Sequence, residues 1–418
     1  MARLRRARYL GLVFALCLVA PAQATGESVD HENVVTENVV TTSVVNRPKR
    51  LKSLLRTHFV IYRNPAETTG ALDALCPPQL QLAHPEQCPA LGPGAYAEQL
   101  AAARLPDPIP DVPLERLARP ARVVEFTYAR VTTPDAPLFA SVEDALAGNV
   151  KKSIGKGFIF VSLEDTVQQG DQVFYKIRSG DFLRASDVSV VNPTGFQGAL
   201  FSANPTYPVG WMVTPSGVRP SQRPGMPAPR KGAALRRGTF IQIFATVKVG
   251  QWDWYLVGPN QWVEQRAVSK LTLNPPPEGV TGKWVQVDLY EQTMATYEDS
   301  RLVYATLVSS GLDKWATEPG LFTIWARLKT DRMSGAYEKD GSDYYSLEAV
   351  PWVMYFDGSR ALHGEYWHDR LGFKRSHGCV NLSPLDARWL FDWTEQGTPV
   401  WVYDSSSQTR ADSVAEGP

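Results

Sequence analysis

Apolar residues in this chain recur mostly at every second position, in short runs broken by Gly, Asp, Asn and Pro. Period-two runs between turn formers predict short antiparallel strands. Toward the C-terminus, Trp284-Val285-Gln286-Val287-Asp288-Leu289 alternates as a half-buried strand does. Gln292 to Tyr297 and Leu302 to Ser309 follow at hairpin spacing, then Gly320 to Leu328, Trp352 to Phe356 and Thr398 to Tyr403. Helical spacing is clear from Pro384 to Trp393, where Ser383 can cap, Pro384 fills the first turn, and Leu385, Trp389 and Leu390 share a face. Residues 283–404 are therefore expected to fold as a mostly β domain with one short helix.

Upstream, residues 121–274 repeat themselves. Thr133-Pro134 returns as Thr214-Pro215, Lys156-Gly157-Phe158 as Arg237-Gly238-Thr239, Val173-Phe174-Tyr175 as Asp253-Trp254-Tyr255, and Asp181-Phe182-Leu183 as Gln261-Trp262-Val263. In each copy, β-branched and aromatic runs (Phe158 to Leu163 and Val173 to Ile177; Ile241 to Val247 and Trp254 to Val257) are separated by turn residues. This is the pattern of a small antiparallel barrel. The copies, 121–200 and 207–274, resemble the bacterial SH3-like modules of exported wall proteins. Two roles stay open for them: binding wall glycan or peptide, with Trp252, Trp254 and Trp262 lining a groove, or acting as a rigid spacer. Pro275-Pro276-Pro277 makes a stiff extended hinge and marks the expected domain boundary.

The N-terminus reads as a secretory signal peptide over 1–24: four arginines precede an apolar run from Tyr9 to Ala20, and Ala22-Gln23-Ala24 supplies a small-residue cleavage site. That run is too short for an ordinary membrane span, and Cys17 follows Leu16 rather than the small residue of a lipid-attachment site. Residues 25–50, with near-copies of ENVVT, read as a flexible tether, and 405–418 as a disordered tail. Residues 51–120 are Pro-rich, with one helix expected from Ala95 to Arg104. Cys76 and Cys88 are spaced to close a small disulfide loop in an oxidising compartment. Cys379 is then the odd thiol. The expected location is the periplasm or cell envelope. Lys+Arg and Asp+Glu both total 43, so no basic excess points to nucleic acid and no acidic excess to metal buffering.

The stretch from Ala361 to Leu382, ALHGEYWHDRLGFKRSHGCVNL, carries three of the six histidines together with Cys379. A thiol acts as its thiolate, and an imidazole can take its proton because the two reference pKa values lie only about two units apart. His377 is two residues before the sulfur and His363 further upstream; an extended backbone would put His377 on the same face as Cys379, so either can serve as base. Gly364 and Gly378 let backbone N–H groups approach a reacting carbonyl. The chemistry expected is acyl transfer by a cysteine nucleophile.

These residues resemble the YkuD-type L,D-transpeptidases of bacterial cell walls. The likeness rests on His363-Gly364, on Ser376-His377-Gly378-Cys379-Val380-Asn381, and on supporting pieces at 287–311, Thr317-Glu318-Pro319-Gly320-Leu321-Phe322 and Gly397-Thr398-Pro399-Val400. It implies a YkuD-like β-sandwich, with Cys379 as nucleophile and His363 as general base. It further implies that the Gly364 carbonyl orients that base and that the N–H groups of Gly378 and Cys379 form an oxyanion hole. Ser376 and Asn381 would orient the loop or contact substrate, and Tyr355, Trp352 and Met354 would either wall a groove or be buried. The implied reaction is a 3→3 crosslink between peptidoglycan stem peptides, through a thioester and loss of D-Ala, with no metal or organic cofactor; separately, no stretch after the signal peptide is long and apolar enough to span a membrane. Rival readings are hydrolysis or protein attachment by the same nucleophile, an inactive wall-binding module, and a zinc site built from His363, His368, His377 and Cys379, whose spacing matches no standard ligand pattern.

Overall fold

A computed structural model describes residues 93–406, apart from residue 121. The signal peptide (1–24), the tether (25–50), the Cys76–Cys88 loop and the tail beyond residue 406 lie outside the described residues. The first described element is a helix, Pro93–Ala102, close to the expected span.

The C-terminal domain is built on nine strands: β1 Lys283–Asp288, β2 Thr293–Glu298, β3 Arg301–Leu307, β4 Gly320–Thr323, β5 Ala326–Gly335, β6 Tyr345–Asp357, β7 Arg360–Gly364, β8 Val380–Leu382 and β9 Pro399–Tyr403. One sheet runs β3-β2-β1-β9-β4, with β1 and β9 parallel. The other runs β8-β7-β6, with β5 also paired to β6. Val285, Val287, Met294, Met354, Leu362, Val380, Leu382 and Val400 fill the space between them, joined by Ala387 and Leu390 of the helix Pro384–Trp393. That helix starts as the sequence predicts: Ser383 Oγ accepts the Asp386 N–H at 3.0 Å and Pro384 occupies the first turn. Its Asp386 carboxylate is fully buried and accepts from the Tyr304 and Thr306 hydroxyls, both at 2.6 Å, and from the Gly198 N–H at 2.8 Å.

Strand β1 departs from the half-buried expectation, since Gln286 is 1% and Asp288 0% exposed. The cause is a second cover. Trp284, Ala295, Tyr297 and Leu302, on the far face of that sheet, pack against Trp211, Val213 and Leu271 of the second repeat. Gln286 finds its partners there too, in Thr272 O at 2.7 Å and Tyr403 Oη at 3.1 Å.

The two copies share an element order. Gln172–Ile177, Phe182–Arg184, the 3₁₀ turn Ala185–Asp187 and Val188–Val191 come back as Trp252–Gly258, Gln261–Glu264, the 3₁₀ turn Gln265–Ala267 and Val268–Lys270. Each has a core of its own. The sheets nevertheless run across the expected boundaries. Phe158–Phe160 of the first copy pairs in parallel with Tyr345–Leu347 of β6, and Ala199–Phe201, following that copy, adds to the edge beside β3. Strand pairing between segments so far apart leaves no local trace in sequence. Trp262, 4% exposed, belongs to a core with Val247 and Leu256, and together with Trp254 it also borders a surface cavity of the second repeat. Among the described residues no helix is long and apolar enough to cross a membrane.

Candidate active site

Strands β7 and β8 are parallel neighbours, with Leu362 opposite Val380 and His363 opposite Asn381. Paired residues share a face and successive ones alternate. Leu362, Val380 and Leu382 point into the inter-sheet core, while Ala361 and Cys379 lie on the other face with Phe160, Leu347 and Tyr366. His363, two residues from Ala361, is on that face as well. The fold thus gathers His363 and Cys379 from opposite ends of the motif onto one surface.

His363 is 2% exposed, and its Nδ1 lies 3.1 Å from Gly364 O. A carbonyl only accepts, so Nδ1 carries the proton and Nε2 keeps its lone pair. Burial lowers the imidazole pKa to about 4, against a smaller upward pull from the Gly364 carbonyl. Gly364 also needs its lack of a side chain, since a Cβ would meet Pro351 Cγ at 3.0 Å and Pro384 Cα at 3.2 Å.

Cys379 is a free, half-buried thiol whose Sγ lies 3.9 Å from Ser359 O. Burial pushes its pKa up, while the Ala361 N–H and the Arg360 guanidinium pull it partly back. Both shifts favour the uncharged partners, so the resting pair is thiol and neutral imidazole.

The nucleophile loop is held from several sides. Ser376 Oγ accepts the Gly378 N–H at 3.1 Å and donates to Cys379 O. Thr317 Oγ1 accepts the Gly311 N–H and donates to Gly378 O, both at 2.9 Å. Gly378 has φ +113°, and a Cβ there would lie 3.1 Å from Arg360 Nε. The Gly378 N–H is therefore already spent on Ser376. Asn381 is 2% exposed, exchanges both backbone bonds with Ser309 at 2.9 Å, and sets its amide 3.4 Å from His368 Nε2. Ser376 and Asn381 thus hold the loop rather than offering side chains to a substrate. Tyr355 is half-buried in the cluster that Cys379 packs against, its hydroxyl donates to Asp331 Oδ2 at 2.7 Å and its ring stacks on the exposed Trp325.

His377 corrects another expectation. Residues 377–379 form a bend and not a strand, because Gly378 takes a backbone angle that breaks the alternation. The His377 ring is wedged among Trp315, Tyr337 and Tyr345, at centroid distances of 3.9, 5.5 and 5.2 Å. Tyr337 Oη donates to its carbonyl at 3.1 Å.

His368 packs beside Glu365 and Asn381. Its Nδ1 accepts the Arg370 N–H at 3.2 Å and lies 3.5 Å from Glu365 Oε1. Burial lowers His368 to about 4 and raises Glu365 to about 8, so the two face each other uncharged at neutral pH. The four residues of the zinc alternative are thereby dispersed into separate settings, and among the described residues no group of three or more His, Cys, Asp or Glu side chains is arranged to hold a metal ion. Sequence reasoning missed Arg360, Glu365 and the aromatic box. Thr317 had a signal, as it heads the Thr317-Glu318-Pro319-Gly320 piece, but nothing local links it to Gly378.

Residues 282–402 match the family model for the L,D-transpeptidase catalytic domain, YkuD. This part of the chain is a YkuD-type L,D-transpeptidase catalytic domain. YciB of Bacillus subtilis (strain 168), itself provisionally assigned as an L,D-transpeptidase, is 29% identical over 138 residues, covering 28% of this chain and 64% of the relative. Among solved structures, a mutant L,D-transpeptidase of Enterococcus faecium is 27% identical over 30% of this chain and 50% of its own, with a TM-score of 0.27. An L,D-transpeptidase of Stackebrandtia nassauensis is 30% identical over 30% of this chain and 58% of its own, with a TM-score of 0.25. This chain thus spans less than two thirds of each of these relatives, and the L,D-transpeptidase domain is under a third of the chain.

Proposed function

We propose that the protein is an exported cysteine acyltransferase that crosslinks peptidoglycan stem peptides. One observation carries this reading: in an L,D-transpeptidase domain, the Cys379 thiol shares a sheet face with an imidazole whose Nδ1–H is fixed by the Gly364 carbonyl. His363 Nε2 takes the thiol proton as Sγ attacks the carbonyl of the third stem residue, and the Cys379 N–H faces the developing oxyanion. The imidazolium returns that proton to the departing amine as the C–N bond breaks, releasing D-Ala and leaving a thioester. A side-chain amine of a second stem attacks the thioester and gives its proton to His363. The C–S bond breaks, and the thiolate is reprotonated from His363. The carbonyl of Gly364 plays the part a carboxylate plays in other triads, fixing the tautomer.

The test is incubation of the mature protein with disaccharide-tetrapeptide, with products read by mass. A crosslinked dimer that disappears in Cys379→Ala supports the proposal. Tripeptide as the sole product would replace transfer by hydrolysis, and no covalent adduct at Cys379 would overturn the reading. Export is tested by recovering the processed protein outside the cytoplasmic membrane.

A further inference from the structure

The segment from Glu365 to Gly378 joins the base strand to the nucleophile, and three successive carbonyls within it are held by side chains. Ser309 Oγ donates to Arg370 O at 3.1 Å. The carbonyls on either side, Asp369 O and Leu371 O, both accept from the guanidinium of Arg237. Arg237 belongs to the second repeat, more than a hundred residues upstream, and its Nε donates to Val213 O of the same repeat at 3.3 Å. Leu371 is 2% exposed in a cluster with Trp211 and Val213. Gly372 follows with φ +91°, where a Cβ would stand 2.6 Å from Val213 Cγ1. From Gly372 onward the segment is pinned to the catalytic sheet's own edge: the Gly372 N–H to Val308 O at 2.7 Å, and the Arg375 and Ser376 N–H groups to Ser310 O at 2.8 and 3.0 Å. Ser376 then holds Gly378 and Cys379 directly.

Arg237 is an unusual residue to find here. It is half-buried, enters none of the ion pairs among the described residues, and directs its donors at backbone carbonyls. Burial of a cation is costly unless its hydrogen bonds are well made; burial lowers the Arg237 pKa, and the nearby Asp369 carboxylate pulls it partly back. The matching position in the first copy shows the ordinary alternative. Lys156 there is a surface residue, 74% exposed, paired at 3.2 Å with a half-exposed Asp135. The two copies share the frame, but only the second turns this side chain into the catalytic loop. A planar fork suits two carbonyls two residues apart, whereas an ammonium is a point donor.

We infer that Arg237 is a positioning residue for Cys379: the second repeat, through this guanidinium and the Val213–Gly372 contact, sets the path of the segment that delivers the nucleophile. The second repeat then belongs to the catalytic apparatus, whatever else it binds. Arg237 touches no reacting atom; it acts through the loop. The kinetic part of this inference rests on the proposed transpeptidation.

The test uses the full mature chain with Arg237→Gln and Arg237→Lys. Misplacement of a reacting group by about 1 Å can cost roughly a hundredfold. The expectation is a fall in kcat of about 10- to 100-fold in Arg237→Gln, with KM within about twofold of wild type. Arg237→Lys should recover part of the loss, because it reaches one carbonyl but not both. The rate of Cys379 alkylation by iodoacetamide, followed against pH, should also change its midpoint in Arg237→Gln, while thermal unfolding shows the variant folded. Wild-type turnover and an unmoved alkylation profile in Arg237→Gln overturn the inference. So does a loss of turnover that only follows the loss of folded protein. The alkylation readout needs no stem peptide: if wild type makes no crosslink and yet the midpoint moves, the proposed function fails and the role of Arg237 stands.

Discussion

In the proposed mechanism, replacing His363 with Ala removes the group that receives the thiol proton, and the pH dependence of the loss follows from the two shifted pKa values. With the imidazole pKa at about 4, only about 0.1% of the ring is protonated at pH 7. The Cys379 thiol titrates above the ordinary 9.0, so fewer than about 1 in 100 molecules carry a thiolate at that pH. Attack by wild type at neutral pH therefore relies on proton transfer to His363 during the step, a contribution of roughly 10² to 10⁴ in rate. His363→Ala should lose that factor at pH 7, equivalent to about 3–5 kcal/mol of barrier. The deficit should then shrink about tenfold per pH unit on the alkaline side, as hydroxide replaces the imidazole, until the pH passes that of the thiol. Wild type should show no acid limb until the pH approaches 4.

The assay is single-turnover thioester formation with disaccharide-tetrapeptide, quenched and read by mass between pH 5 and 10, with iodoacetamide alkylation as the substrate-free control. Alkylation of wild type should climb with pH through the neutral range. A fast, flat alkylation rate from pH 5 to 8 would show a preformed thiolate–imidazolium pair and refute the neutral-pair argument. A pH-independent defect in His363→Ala would show that the ring acts by shape and not as a base.

Three further outcomes are expected. Glu365 has a folded pKa of about 8 against 4.5 unfolded, so the native state keeps the extra proton between those values and stability falls as pH rises through them; wild type should lose roughly 2 kcal/mol between pH 6.5 and 8, and Glu365→Gln should remove most of that slope in urea unfolding, leaving the smaller part from Glu291, which burial raises to about 7, an unchanged slope placing the titration elsewhere. Thr317→Val strands the Gly311 N–H and the Gly378 carbonyl, at about 1–3 kcal/mol each, and should lower both the melting temperature and kcat, whereas Thr317→Ser should match wild type; a stable, fully active valine variant would contradict the bonding described. Arg360→Gln withdraws a cation that pulls the Cys379 pKa down, so the alkylation midpoint should move to higher pH, and a downward move would show that the guanidinium acts on the thiol in some other way.

The sequence was most readable where one residue type has one physical use. Ser383 and Pro384 announce a helix start, and the helix begins there. An odd cysteine with histidines and glycines around it reads as a nucleophile, and Cys379 is a free thiol within the matched domain. It was least readable where a residue's partner is remote. Ser376 and Asn381 read equally as loop-orienting residues or substrate contacts; the Ser376 hydroxyl bonds Cys379 and Gly378, and Asn381 bonds Ser309 through its backbone and sets its amide against His368. His377 read as a possible base under an extended backbone, and a single positive φ at Gly378 turned it among aromatic rings. Arg237 carried no signal at all, since nothing near it in sequence names the carbonyls it meets.

The alternation of β1 makes the same point from the packing side. Trp284, Gln286 and Asp288 read as an outward face because their neighbours Val285 and Val287 so clearly face a core. A Trp on that outward row was the discordant note: a large apolar side chain left in water forfeits about 2 kcal/mol or more of burial. The second repeat supplies the cover, with Trp211, Val213 and Leu271 against Trp284 and Tyr297, and the first copy extends the opposite sheet through Phe158–Phe160 on β6. Cut at the family boundary near residue 282, the catalytic domain would expose that apolar face and lose a strand partner from each sheet. The upstream copies are therefore structural parts of the domain that carries Cys379, and a cysteine loop braced by Arg237 follows from the same architecture.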